Sequence, residues 1–363
     1  MSTLTAKTKT LILERLQSGA DAGALATEYN VPATTIQSCY GLLGAAAGVQ
    51  ARGIKKRQRF TRKSLSRVAL TDDDKKIIAY VAAHRFRRST DIARHLDRSL
   101  KKVVERLTEL FNAGYLDRPP AQLEMDTALA QGPMVYALGN KGAEHLAEAL
   151  ADTTTTINWT DKNRSVGRPF IKHALLIGDV IDATTRIPQR NPNIQPITRD
   201  QLLATAPTKT QRSRDPWKLT ASIVTDGLTQ PAISIIPDQA FGLDFTAARK
   251  RSYFFVEADN ATMPVWRSDL LRQSSMRKKF LVYLAFHAAR LHTEHYGIGN
   301  FRVLVVSTSD ERLANMIDAL TKLTNGIGSN LVLFATAKAI TQCTDLTAVA
   351  WISGKGETIH LSD

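Results

Sequence analysis

The stretch Tyr253-Phe254-Phe255-Val256-Glu257-Ala258-Asp259 sets an aromatic and β-branched run directly before two acids. Such residues fit a pleated, half-buried surface, so the run predicts a strand. Side chains on a strand repeat with a period of two, which puts Glu257 and Asp259 on one face if the chain stays extended. A second apolar run, Ala232-Ile-Ser-Ile-Ile236, comes before Pro237-Asp238. Paired antiparallel, the two strands would bring three carboxylates to one sheet edge. Hard cations such as Mg²⁺ bind carboxylate oxygens, water and phosphate, so this edge is a candidate metal site. Downstream lies a basic amphipathic run containing Lys278, Lys279 and Tyr283. Lys279 and Tyr283 are spaced i, i+4 and share a helix face.

Around this stretch the pattern predicts strands over 218–225, 231–237 and 252–258, then a helix over 266–292. A strand over 301–307, a helix over 311–323, a strand over 330–335 and a closing strand near 349–353 follow. Residues 169–186 read as a helix carrying His173. Residues 191–214 read as irregular and hold Lys209, Arg212 and Arg214. The Thr-rich segment 152–165 reads as a linker.

Residues 71–150 read as a winged helix. Thr71 can cap a helix whose first turn carries Asp72, Asp73 and Asp74, favourable at its positive end. Residues 89–96 form a second helix. Residues 99–113 form a third, with Lys101, Lys102 and Arg106 on its polar side, and Gly114 ends it. A strand over 134–138 and a helix over 141–150 close the unit. Upstream, Arg52 to Arg67 contains basic residues, among them Lys55, Lys56, Arg57 and Arg59, and no acid. Such a block is solvated and can track phosphates. In residues 4–44, the pattern Ala-Leu-Ala-Thr-Glu-Tyr-Asn-Val-Pro-Ala-Thr-Thr-Ile (24–36) resembles a recombinase-type helix-turn-helix. Thr34, Thr35 and Gln37 would open its recognition helix.

Each of these features also has a plain structural reading. Asp238 after proline suits a turn. Glu257 and Asp259 suit an exposed strand terminus, Lys279 a helix-face cation, and His173 a satisfied core or capping histidine. Tyr283 fits half core, half site. The basic segment fits a solubilising linker, and the helical units fit protein contacts.

The formal net charge of +14 and sequence pI of about 9.8 favour a polyanionic partner, nucleic acid first. With 43% hydrophobic residues in 363, the chain can build globular domains with a sizeable core. No run reaches the length of a membrane span and no signal peptide or lipidation motif is visible, which points to a cytoplasmic protein. Cys39 and Cys343 stand far apart and form no metal spacing or disulfide framework. No P-loop, GxGxxG or zinc pattern occurs.

The Pro237-Asp238, Glu257-Ala-Asp259 and Lys279–Tyr283 arrangement resembles the PD-(D/E)xK nuclease superfamily. With Lys172-His173-Ala-Leu-Leu-Ile-Gly-Asp179 and Phe301-Arg-Val-Leu-Val-Val-Ser-Thr-Ser-Asp-Glu-Arg312, the chain more narrowly resembles the replication-relaxation family of plasmid and mobile-element proteins over roughly 70–363. The resemblance implies an α+β multi-domain chain with a winged helix (71–150), a linker (151–165) and a C-terminal α/β nuclease-like core (166–363). The residues themselves add a helix-turn-helix (1–45) and a basic linker (46–70). It implies a DNA-binding protein acting in replication, relaxation or transfer. An active Mg²⁺- or Mn²⁺-dependent endonuclease and a transcription regulator remain alternatives. In an active site Asp238, Glu257 and Asp259 would hold the metal and Lys279 would serve catalysis, with His173 and Tyr283 as accessories. Where the superfamily motif has its lysine, two residues after the acid, this chain has Asp259, so the lysine would come from the helix. DNA is the expected partner, along with other replication or transfer proteins, and a homodimer stays open.

Overall fold

A computed structural model describes residues 60–63, 68–123, 132–150, 158–225, 228–229, 231–271 and 273–362, together with Thr8, Ile12, 22–29 and Val31. The fold is mixed α and β, built on one large and one small sheet.

The small-sheet unit opens with α1 (Asp72–His84). Thr71 caps it reciprocally. The Thr71 hydroxyl accepts the Asp74 N–H at 3.3 Å, and the Asp74 carboxylate accepts the Thr71 N–H at 2.7 Å. Asp74 is fully buried, which is costly for a carboxylate unless a cation meets it. Arg106 is that cation, with contacts of 2.6 and 2.9 Å. The chain continues through β1 (Phe86–Arg88), α2 (Ser89–Leu96), α3 (Leu100–Ala113), β2 (Leu116–Asp117), β3 (Val135–Leu138) and α4 (Asn140–Leu150). Gly114 stops α3 at φ +90°, a conformation in which a Cβ would be strained. The strands pair antiparallel in the order β1-β3-β2. Ile77, Val81, Ile92, Val103, Leu107 and Leu110 fill the space between helices and sheet.

After α5 (Trp159–Arg164), α6 (Arg168–Thr185) joins the two sheets. Ile171, Ala174 and Leu175 pack on Phe86, Val135 and Ala137 of the small sheet. Leu176, Val180 and Ala183 pack on the large one. The seam is locked by Arg87, which has no exposed surface. Its guanidinium donates to Asp182, to Asp179 at 3.4 Å and to the Tyr80 hydroxyl at 2.9 Å, and lies 3.5 Å from Asp91. Arg88 adds bonds of 2.8 Å to Asp179 and 3.1 Å to Asp91. Gly178 makes this possible: a Cβ there would run into the Arg87 guanidinium.

The large sheet runs β14-β13-β12-β11-β10-β9-β4. Its strands are β4 (Ile194–Ile197), β9 (Gln239–Phe245), β10 (Lys250–Ala258), β11 (Arg302–Ser307), β12 (Val332–Thr336), β13 (Trp351–Ser353) and β14 (Thr358–Ile359). Only β10-β11 and β11-β12 pair parallel. Alternation sorts the side chains. Phe255, Val303, Val305 and Phe334 face α7 (Met276–Ala288), α8 (Leu291–Tyr296) and α9 (Asp310–Leu323). Phe254, Val256, Leu304 and Leu333 face α6. Each such side chain contributes about 1.5–3 kcal/mol on burial. Two short ladders stand apart: β5 (Leu219–Ala221) with β8 (Ile233–Ile235), and β6 (Val224–Thr225) with β7 (Leu228–Thr229).

Four expectations need correction. The segment 152–165, read as a linker, contains the helix α5 (Trp159–Arg164). The strand over 231–237 pairs with β5, not with β10. The antiparallel partner of β10 is β9, whose Gly242 and Asp244 weaken any strand pattern. The segment 191–214 is not irregular, since it holds β4 and the short helices Arg199–Ala204 and Thr208–Gln211. The helix expected from residue 266 begins at Met276, where the Ser275 hydroxyl accepts the Lys278 N–H, and residues 266–271 and 273–275 lie outside any helix.

In the N-terminal segment, a helix spans Ala22–Glu28, and Leu25 and Val31 are buried. Thr34, Thr35, Gln37, Lys55, Lys56, Arg57 and Arg59 lie outside the described residues. No helix among the described residues is long and apolar enough to cross a membrane.

Candidate functional site

Continuing the β9-β10 register places Asp238 opposite Glu257, because Val256 pairs with Gln239. Directly opposed residues project to the same side, and two like charges there repel. The backbone fixes Asp238: its N–H donates to the Val256 carbonyl at 3.1 Å, and its carboxylate accepts the Ala258 N–H at 2.8 Å. Glu257 shares the sheet face of Phe255, against α7. There the Lys279 ammonium donates to one Glu257 oxygen and the Tyr283 hydroxyl donates to the other at 2.6 Å. The same ammonium lies 3.9 Å from Asp238, so one cation serves both carboxylates. From the opposite side of the sheet edge, His173 on α6 reaches Asp238 at 3.2 Å. Arg199 donates to the Asp238 carbonyl at 3.5 Å and stacks on Trp217 at 4.5 Å.

Sequence reasoning thus named five residues that the fold does bring together: Asp238, Glu257, Lys279, His173 and Tyr283. Asp259 goes elsewhere. It follows Glu257 by two and lies on the same side, yet it meets α9 rather than α7. The Arg312 guanidinium grips it at 2.9 and 3.0 Å, and the Ser307 hydroxyl donates at 2.7 Å. Arg312 also holds the Met263 carbonyl, tying down the start of the loop. Neither Arg312 nor Ser307 was assigned a role from sequence, because a single arginine in a helix's first turn carries no local signal.

Burial drives the titration of this group. Loss of solvent raises the Glu257 carboxyl to about 7, with Asp238 adding to the rise and Lys279 opposing it. Burial works against the Lys279 ammonium, but Glu257 and Asp238 more than offset it and hold its pKa above the ordinary lysine value. Burial also pushes Asp238 upward, and His173, Lys279 and the Ala258 N–H together bring it below the usual aspartate range. The hydrogen bond from Asp238 raises His173. The Tyr283 hydroxyl stays protonated, raised by burial and by Glu257.

The donor set bears on a divalent cation. Every oxygen of Asp238, Glu257 and Asp259 already meets a protein donor. Lys279 fills the space between Asp238 and Glu257. Among the described residues no cluster of three or more His, Cys, Asp or Glu is set to hold a metal. In this arrangement the residues do not fit Mg²⁺ or Mn²⁺.

On α3, Lys101 and Lys102 are exposed and form no ion pair among the described residues. Arg106, on the same helix, is spent on Asp74 and on Glu109 at 2.5 Å. Leu100 and Val104 are also exposed, at 46% and 38%.

The model of the replication-relaxation family matches residues 78–301. The chain belongs to the replication-relaxation family. The matched span contains His173, Asp238, Glu257, Lys279 and Tyr283, and it ends before Ser307 and Arg312. No curated protein matches the chain. Among solved structures, ScpB from Mycobacterium tuberculosis is similar over 41% of this chain and 98% of its own, at 17% identity. The TM-score is 0.16, a level that carries no argument about fold. Family membership points to replication or relaxation of a plasmid or mobile element.

Proposed function

We propose that this protein binds DNA through α3 and acts in the replication, relaxation or transfer of a plasmid or mobile element. The supporting observation is the face of α3, which offers exposed Lys101 and Lys102, without ion pairs among the described residues, beside exposed Leu100 and Val104. The order α1-β1-α2-α3-β2-β3 supports this reading because it resembles a winged helix, in which the helix after the turn enters the major groove. Lysines there neutralise phosphates, and apolar side chains there suit thymine methyl groups. The test is binding of labelled duplex DNA by the full chain, followed by anisotropy at rising salt. Affinity that falls steeply with salt supports the reading, and absence of binding at low salt overturns it.

A second reading is a metal-dependent endonuclease. It is favoured by the order α6-β4-β9-β10-α7-β11, which resembles the nuclease core, and by the grouping of Asp238, Glu257 and Lys279. It requires Lys279 to leave the carboxylates before a cation could enter. Supercoiled plasmid incubated with Mg²⁺, Mn²⁺ or EDTA tests it. Metal-dependent nicking, lost in Asp238→Ala, Glu257→Ala and Lys279→Ala, supports it, and intact plasmid under every condition removes it.

A further inference from the structure

Phe170 lies one helical turn before His173 on α6, on the same face by its i, i+3 spacing. It is 52% exposed. Its ring meets the Phe86 ring edge-on, with centroids 6.1 Å apart at 87°. Beside this pair the Arg85 guanidinium sits 4.9 Å from the Phe86 centroid and 4.6 Å from that of Trp159. The Lys162 ammonium lies 5.2 Å from the Trp159 ring. Phe86 itself is fully buried, so the surface that follows α1 and joins α5 and α6 presents exposed Phe170 and Lys162 with half-buried Arg85 and Trp159.

Two features of Arg85 exceed what packing needs. Its backbone stands at φ +68° and ψ −48°, away from the left-handed well that a non-glycine helix cap usually adopts. Its Nη1 is buried without a hydrogen-bond partner, and Arg85 makes no ion pair among the described residues. The nearby acid of α5, Asp161, is held by Asn158 at 2.5 Å and Arg164 at 3.4 Å and does not neutralise these cations. Strained backbone held in place beside an unsatisfied cation marks a site kept for a ligand.

We propose that Arg85, Trp159, Lys162 and Phe170 form a stacking platform for unpaired nucleotides of single-stranded DNA. An unpaired strand presents base faces to aromatic rings and phosphates to cations at alternating positions, which matches this surface. In a duplex the base faces are stacked away, so the rings find nothing to cover. An acidic peptide would use the cations and leave the rings idle. The platform deepens the DNA-binding reading and rests on it: α3 engages duplex, and the platform takes the melted strand toward His173 and Asp238.

The test compares one labelled oligonucleotide, single-stranded and as its duplex, against the full chain by anisotropy. Phe170→Leu keeps bulk and removes the ring, and Trp159→Phe keeps a ring. Loss of a stacked base predicts about tenfold weaker single-strand binding in Phe170→Leu, with Trp159→Phe close to wild type. Duplex affinity should stay within about twofold, since α3 is untouched. Thermal melting of each variant shows that folding is kept, and Lys162→Gln, at an exposed position, repeats the test if Phe170→Leu does not fold. Unchanged single-strand affinity, or an equal loss on duplex, overturns the platform while leaving DNA binding in place. A wild-type chain that binds neither form overturns both readings.

Discussion

Two buried charge clusters lie along α6, and they are built differently. At Asp179 and Asp182 the helix meets Arg87, and every charge is answered inside the protein. At His173 it meets Asp238, where a single ammonium, that of Lys279, serves two carboxylates. The Arg87 side chain has no exposed surface, whereas Lys279 and Asp238 keep 14% and 15%. Arginine offers a rigid fork that suits a permanent lock, and lysine offers a point charge on a flexible stem. The first cluster fixes the small sheet to the large one. The second holds two carboxylates together through one flexible cation that keeps a little exposed surface.

Removing the lock should have the largest effect. Arg87→Met leaves Asp91, Asp179 and Asp182 buried around a neutral side chain and should cost about 3–5 kcal/mol in urea unfolding. A loss under about 1 kcal/mol would mean that the seam does not depend on this cluster. Arg312→Met strands Asp259, which is 4% exposed, with only Ser307 beside it. A cost of about 2–4 kcal/mol is expected, with duplex affinity unchanged, because α3 is untouched. Lys279→Met should cost less, about 1–3 kcal/mol, because Glu257 can take up a proton near neutral pH instead of remaining an unpaired buried charge.

The smallest effect is a pH dependence. The folded-state pKa of Glu257, about 7, lies above its ordinary value of 4.5. The protonated carboxyl therefore favours the folded chain below 4.5, and this contribution is lost as pH rises through about 7. His173, also raised, loses its contribution in the same direction above its ordinary value of 6.5. Below 6.5 the buried His84, lowered to about 4, and His95, also lowered by burial, act in the opposite sense, so the fall shows above that value: urea midpoints measured from roughly pH 6.5 to 8 should fall for the wild type. The curve should flatten in Glu257→Gln and flatten further when His173→Gln is added. An identical slope in all three proteins would show that the site does not titrate there.

How much of this the sequence could reveal follows the range of each interaction. The Thr71 cap, the Gly114 stop and the β10 and β11 strands are written in neighbouring residues, and all were legible. So was the Lys279–Tyr283 face, which needs only helical spacing. The pairing of Asp238 with Glu257 was legible in outcome but not in route, because the Asp238 strand is β9, broken in pattern by Gly242. The separation of Asp259 from Glu257 was not legible. It depends on which helix lies over each residue, and Arg312 is 53 positions away from its acid. Arg106 illustrates the same limit: its spacing fits a polar helix face, while its partner Asp74 is 32 positions upstream.

The proposal that α3 is the duplex-binding element is tested most directly by salt titration of duplex affinity for the wild type and for a Lys101→Gln/Lys102→Gln variant. Each phosphate contact contributes about −0.9 to the slope of log affinity against log salt. Losing two contacts should make the slope shallower by about 2 and weaken binding to all sequences alike. A variant that keeps the wild-type slope and affinity would contradict the assignment of α3 to DNA.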